Sequence, residues 1–219
     1  MINNARPLTT PENPTHAAAP PTVQQRAVDN LAFIRQTMER AAAFTHVSGW
    51  GMVAVGVLAF IASFAARIIA GGGALMDGQR ARIWMTVWLV QAVISAAVAG
   101  VLIRRKARAA DADLLSSPGK KMLSGFAPPM IAGALMTFAL AQHGIFALLP
   151  GVWMLLYGVG VMTGGAHSVR TLPAMGVAFV MLGGVALFIA PAHADWLMGL
   201  GFGGLHVIFG ILVVRRHGG

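Results

Sequence analysis

The sequence predicts an all-α bundle of six transmembrane helices, preceded by an amphipathic helix, and three observations lead there. The chain has 219 residues, of which 57% are hydrophobic and only 11% charged. Its mean hydropathy is +0.71, too apolar for a soluble domain of this size. Long segments contain no Asp, Glu, Lys or Arg at all, and they recur at the spacing of bilayer-spanning helices.

Residues 1–21 come first, MINNARPLTTPENPTHAAAPP, rich in proline and without a hydrophobic run. Such a stretch buries too little surface to offset the entropy of ordering, so a disordered tail is expected. It does not resemble a signal peptide, because no apolar core follows Arg6. The pattern changes at Thr22. Thr22 and Gln25 have the spacing of a capping box, and Val28, Leu31, Ile34, Met38 and Ala41 follow at helical intervals. Arg26, Asp29, Gln36, Glu39 and Arg40 occupy the other face, so residues 22–46 are expected to lie as a helix in the headgroup region.

The transmembrane domain is then 47–219. Its uncharged segments are Val47–Ala66, Ile83–Ile103, Met122–Val169, Thr171–Ala194 and Trp196–Val214. Met122–Val169 is long enough for two helices of about 20 residues, with a turn near Gly144–Pro150, and this makes the count six. Within the third span, Pro128 and Pro129 either kink a packed helix or break it to free carbonyls.

Charge gives the orientation. Bases collect before the first span (Arg26, Arg35, Arg40), in RRKARAADADLLSSPGKK (104–121), at Arg170 and at Arg215 and Arg216. The alternate side has Arg80 and Arg82, with Arg67 at a span edge. The positive-inside rule therefore places both termini in the cytoplasm of an inner membrane, with the 104–121 loop against anionic headgroups. The formal charge of +9 is explained by this arrangement and does not call for nucleic acid. On the far side Trp84, Trp88, Trp153 and Trp196 are expected to form an interfacial aromatic belt.

Similar strings recur: GVLAFIA (56–62) with GVALFIA (184–190), and AGVLIRRK (99–106) with FGILVVRRH (209–217), which suggests three repeated helical hairpins. MLGGVALFIAP (181–191) followed by GFGGLHVIFGILVVRR (201–216) resembles one hairpin of the HdeD-like acid-resistance membrane proteins over the last forty or so residues. The chain as a whole resembles a group of uncharacterised bacterial six-span inner-membrane proteins with an amphipathic N-terminal helix. Neither resemblance implies catalytic residues, and the long tail and amphipathic helix depart from the HdeD pattern.

The chemistry is sparse. With no cysteine, thiolate metal sites, disulfides and cysteine nucleophiles are excluded. HExxH, GxSxG and P-loop motifs are absent from the sequence, so hydrolase and nucleotide chemistry have no support. The seven acidic residues all fall outside the segments above, which counts against ion-coupled transport. Of the histidines only His206 is deep, and it lacks a second histidine at its level to complete a haem site. Gln91 and Tyr157 share its depth, and each needs a partner in hydrocarbon. The expectation is that Gln91, Tyr157 and His206 converge as a buried polar cluster, with no catalytic residue, metal or cofactor. Function then reads as a non-enzymatic structural, stress-related or accessory membrane protein working through lipids, a protein partner or a second copy. The alternatives are a small transporter or channel for a neutral or hydrophobic solute, and a haem- or quinone-binding subunit.

Overall fold

The structure is a computed structural model and describes residues 22–41, 47–109, 117–166, 168–189 and 191–217. The expected disordered tail lies outside these residues, as do His46, His167 and the acidic part of the basic loop. Two compact units are present, Met1–Ala41 and Ala42–Gly219.

In the first unit, α1 runs over Val23–Ala41. The capping box forms as the spacing requires: Gln25 N–H donates to Thr22 Oγ1 at 3.2 Å, and Thr22 N–H donates to Gln25 Oε1 at 3.0 Å. Val28, Leu31, Ile34 and Met38 are exposed.

Among its described residues the second unit is built of helices joined by short connections. It contains α2 (Gly49–Ile69), α3 (Gly78–Ala109), α4 (Ser117–Gln142), α5 (Leu149–Gly165), α6 (Thr171–Ala186), α7 (Ala194–Met198) and α8 (His206–His217). A π-helical stretch, Gly199–Leu205, joins α7 to α8, so that Pro191–Arg216 forms one long apolar rod. Five segments are long and apolar enough to cross a membrane: α2, α3, α4, Phe146–Gly165 and Pro191–Arg216. The expected fifth span is shorter than Thr171–Ala194. α6 stops at Ala186 after 16 residues, or about 24 Å at 1.5 Å per residue, and Pro191 lies just beyond its closing turn.

Helix ends are fixed locally. Ser48 Oγ accepts from Gly51 N–H at the start of α2, and Asp77 Oδ1 accepts from Gln79 and Arg80 N–H at the start of α3. Between them the chain turns through Gly71 (φ 81°) and Gly73 (φ 73°), a backbone region that only glycine enters freely. Arg80 Nε then donates to the Ala70 carbonyl at 2.7 Å, closing the end of α2. Pro128 and Pro129 do not break α4, which continues through them. Two α5 side chains link it to its neighbour: Thr163 Oγ1 donates to the Gly125 carbonyl at 2.7 Å, and Trp153 Nε1–H donates to Thr137 Oγ1 at 2.7 Å.

Packing follows the small residues. α5 and α6 form the most intimate pair, since a methyl group at Gly158 would lie 2.8 Å from the Gly176 carbonyl oxygen, and one at Gly183 would lie 2.7 Å from Leu155 N. α2 runs along the π-helical stretch and α8 in the same way, with Gly49 against Val214 and Gly56 against the Gly203 carbonyl. The order of neighbours is thus α3, α2, the π-helix with α8, α6, α5 and α4. The two ends of this series stay apart: among the described residues, α3 and α4 make no more than a marginal backbone approach to each other. Short turns at Ala74–Met76 and Phe146–Leu148 meet at one end of the bundle and join the series there.

Candidate functional site

His206 directly follows a widened helical turn. In Gly199–Leu205 the backbone adopts the π form, which admits an extra residue into a turn. Glycine is needed here by its surroundings, because a methyl at Gly203 would lie 2.8 Å from the Phe60 ring and one at Gly201 would lie 2.7 Å from Met154 Sδ. Glycine thereby lets this stretch pass between α2 and α5. His206 begins the regular helix that follows, and it is only 4% exposed.

Tyr157 on α5 reaches it. Tyr157 Oη lies 2.7 Å from His206 Nε2, joining two residues far apart in sequence. Phe126, Phe179 and Phe202 surround the tyrosine ring, with centroids at 5.9, 4.9 and 5.2 Å. Phe179 also meets the His206 ring edge-on at 5.5 Å. Gln91 does not join the pair by a hydrogen bond. It is buried, but its Nε2 donates to Ser95 Oγ at 2.7 Å, one turn along its own helix.

A second constellation occupies the end of the bundle where α7 begins, and it differs from both sequence expectations there. Asp195 was expected in a loop between spans, yet it is 4% exposed and lies in the Pro191–Arg216 rod. Trp84 Nε1–H donates to its Oδ1 at 2.6 Å, and Ser63 Oγ donates to its backbone carbonyl at 2.7 Å. The acid is held in place by donors from α2 and α3, which offsets its burial. The aromatic belt is likewise not a ring of lipid-facing tryptophans. Trp84 and Trp88 are buried in the core, and Trp84 stacks on Trp153 at 5.6 Å with 11° between the planes. Trp196 is exposed, with the Arg67 guanidinium 5.6 Å from its ring centroid.

The rings connect the two constellations. Trp84 meets Trp88 at 6.1 Å, Trp88 meets Phe202 at 6.2 Å, and Phe202 stacks on His206 at 6.3 Å. Two nitrogens in this series are buried without a hydrogen bond, Trp88 Nε1 and His206 Nδ1. The Phe202 carbonyl, one turn before His206, interacts with that ring but does not meet Nδ1 in hydrogen-bonding geometry.

Sequence reasoning missed Trp84, Trp88 and Asp195 as site residues. The available signal was the spacing of Trp84, Trp88, Gln91 and Ser95, which puts four polar or amphipathic side chains on one helix face. Among the described residues, no group of three or more His, Asp or Glu gathers as a metal ion would require. The chain matches no protein-family model, no curated protein and no solved structure.

Proposed function

We propose that this chain is a non-enzymatic accessory protein of the inner membrane, crossing it six times with both termini in the cytoplasm and acting through contacts with a protein partner. One observation carries the reading. The polar pair Tyr157 and His206 is joined by a hydrogen bond between Oη and Nε2 and enclosed by three phenylalanine rings. An interior closed in this way is a packed core and not a solute path. Lipid contacts complete the picture, with α1 in the headgroup region and the 104–121 loop against anionic lipids.

The test is recovery of the full chain from native membranes in mild detergent, followed by mass spectrometry of what accompanies it. A partner in near-stoichiometric amount is expected. Recovery of the chain alone overturns the accessory role.

A further inference from the structure

We propose that Trp84 and Asp195 form a proton-coupled redox pair: the Trp84–Trp153 stack gives one electron to an oxygen-centred radical arriving at this end of the bundle, and the Trp84 indole proton passes to the Asp195 carboxylate. The proposal goes beyond the accessory role and does not depend on it.

The first ground is the position of a base. Trp84 Nε1–H donates to Asp195 Oδ1 at 2.6 Å, close enough for a proton to cross the hydrogen bond. Trp84 is 1% exposed and Asp195 is buried with it, so the carboxylate and not bulk water faces the indole nitrogen. Ser63 Oγ donates to the Asp195 backbone carbonyl at 2.7 Å and fixes the residue that carries the base. Loss of an electron makes an indole N–H strongly acidic. The acceptor stands where oxidation requires it.

Charge is the second ground. When one electron leaves and the proton moves to Asp195, a buried anion becomes a neutral acid beside a neutral indolyl radical. Charge is thereby removed from an apolar interior, where it is costly. The other hydrogen-bonded ring behaves in the opposite way. Tyr157 Oη lies 2.7 Å from His206 Nε2, and oxidation with transfer of that proton would leave an imidazolium among phenylalanine rings.

The third ground separates Trp84 from the other indoles. Trp88 Nε1–H is buried without an acceptor, and Trp153 Nε1–H donates to the Thr137 hydroxyl, which is no base at neutral pH. Trp196 has the Arg67 guanidinium 5.6 Å from its ring centroid, a positive charge that opposes loss of an electron. Trp50 is exposed in the first turn of α2, far along that helix from Ser63. Trp84 combines a carboxylate at its nitrogen with a stacked ring, since Trp153 lies 5.6 Å away at 11° and shares the positive charge of the first-formed radical cation. Trp153 is partly exposed, so the electron leaves through it.

The step balances as one electron and one proton. The oxygen-centred radical becomes an anion and takes its own proton from water; Trp84 loses its N–H bond and Asp195 gains an O–H bond.

The experiment uses the purified full chain carrying Trp50→Phe and Trp196→Phe, which removes the two exposed indoles. Photogenerated tris(bipyridine)ruthenium(III) oxidises it in detergent, and transient absorption with electron paramagnetic resonance identifies the radical. A neutral tryptophan radical is expected, with its yield at least tenfold lower after adding Trp84→Phe. Asp195→Asn keeps an acceptor oxygen but removes the base, so the protonated radical cation, distinguishable by its visible absorption, should persist in its place. Infrared difference spectra of the parent chain should show the carboxylic acid band that Asp195 gains, a readout that holds even where neither further variant folds. In a second arm, peroxyl radicals from a thermal azo initiator, acting on the chain in phosphatidylcholine vesicles, should produce the same neutral radical. Absence of that radical in either arm, an undiminished neutral radical in folded Trp84→Phe or Asp195→Asn, or no acid band in the parent chain overturns the proposal.

Discussion

The seam between α5 and α6 and the seam between α3 and the rest of the bundle solve one problem in opposite ways. At the first, glycines bring backbones into contact, and the pair is held by close van der Waals approach. At the second, α3 packs its backbone on α2 but stands off from α5 and the π-helical stretch, and tryptophans span that distance, with Trp84 reaching Trp153 and Asp195, and Trp88 reaching Phe202. In lipid no hydrophobic force drives helices together. A helix either presents small residues and comes close, or carries large ones with polar ends and binds at a distance. The first solution uses no side-chain hydrogen bond, whereas the second depends on one, from Trp84 to Asp195, and leaves the Trp88 indole N–H buried without an acceptor.

The largest effect should come from breaking the close seam. Gly158→Leu places a branched side chain where even a methyl would lie 2.8 Å from the Gly176 carbonyl oxygen. Overpacking of this kind costs about 1–3 kcal/mol, and here the obstacle is backbone that cannot rotate away, so the upper end is expected. Thermal unfolding in detergent checks it, with Gly184→Ala as a control because nothing lies within 4 Å of a methyl there. An equal loss in both variants would mean that the seam is not specific.

Breaking the long-reach seam should cost less. Asp195→Ala leaves the Trp84 indole N–H buried without its acceptor, a loss of about 1–3 kcal/mol, and Asp195→Asn, which keeps an oxygen, should recover part of it. Near-ultraviolet circular dichroism reports the same event, since the Trp84–Trp153 stack should loosen in the alanine variant. An unchanged tryptophan spectrum would show that the stack stands without the acid.

The smallest effect belongs to the central pair. Tyr157→Phe removes one hydrogen bond between two helices, and such bonds inside membranes average about 0.6 kcal/mol. A double-mutant cycle with His206→Phe measures the coupling directly. Coupling near zero would make the pair a consequence of ring packing alone.

Much of the architecture was written in the sequence because lipid enforces simple rules. Charge-free segments mark helices, and the Thr22–Gln25 spacing marks the start of α1. The pairing of Tyr157 with His206 was also legible, since two polar groups at one depth have few other partners. Gln91 found its partner one turn away, an outcome that depth alone does not distinguish from a partner on another helix. Asp195 was hidden because hydropathy places any lone acid at a segment boundary in a loop, whereas Trp84 and Ser63 draw this one inward. The end of α6 was hidden for a related reason. Apolar residues continue past Ala186, and composition does not show where a helix becomes a turn.

The π-helical turn before His206 has a consequence for how this rod tolerates change in length. An α-helix places successive residues about 100° apart, so a one-residue deletion that restored regular winding would leave everything after it in register, whereas regular winding with all of Gly199–Leu205 kept would swing it by about that angle. His206 would leave Tyr157, and the glycines facing α2 would be replaced by their bulky neighbours. The stretch is therefore a phase adjustment between two halves of one rod. A chain that lost it would keep its hydropathy profile unaltered and lose the alignment that the profile does not record.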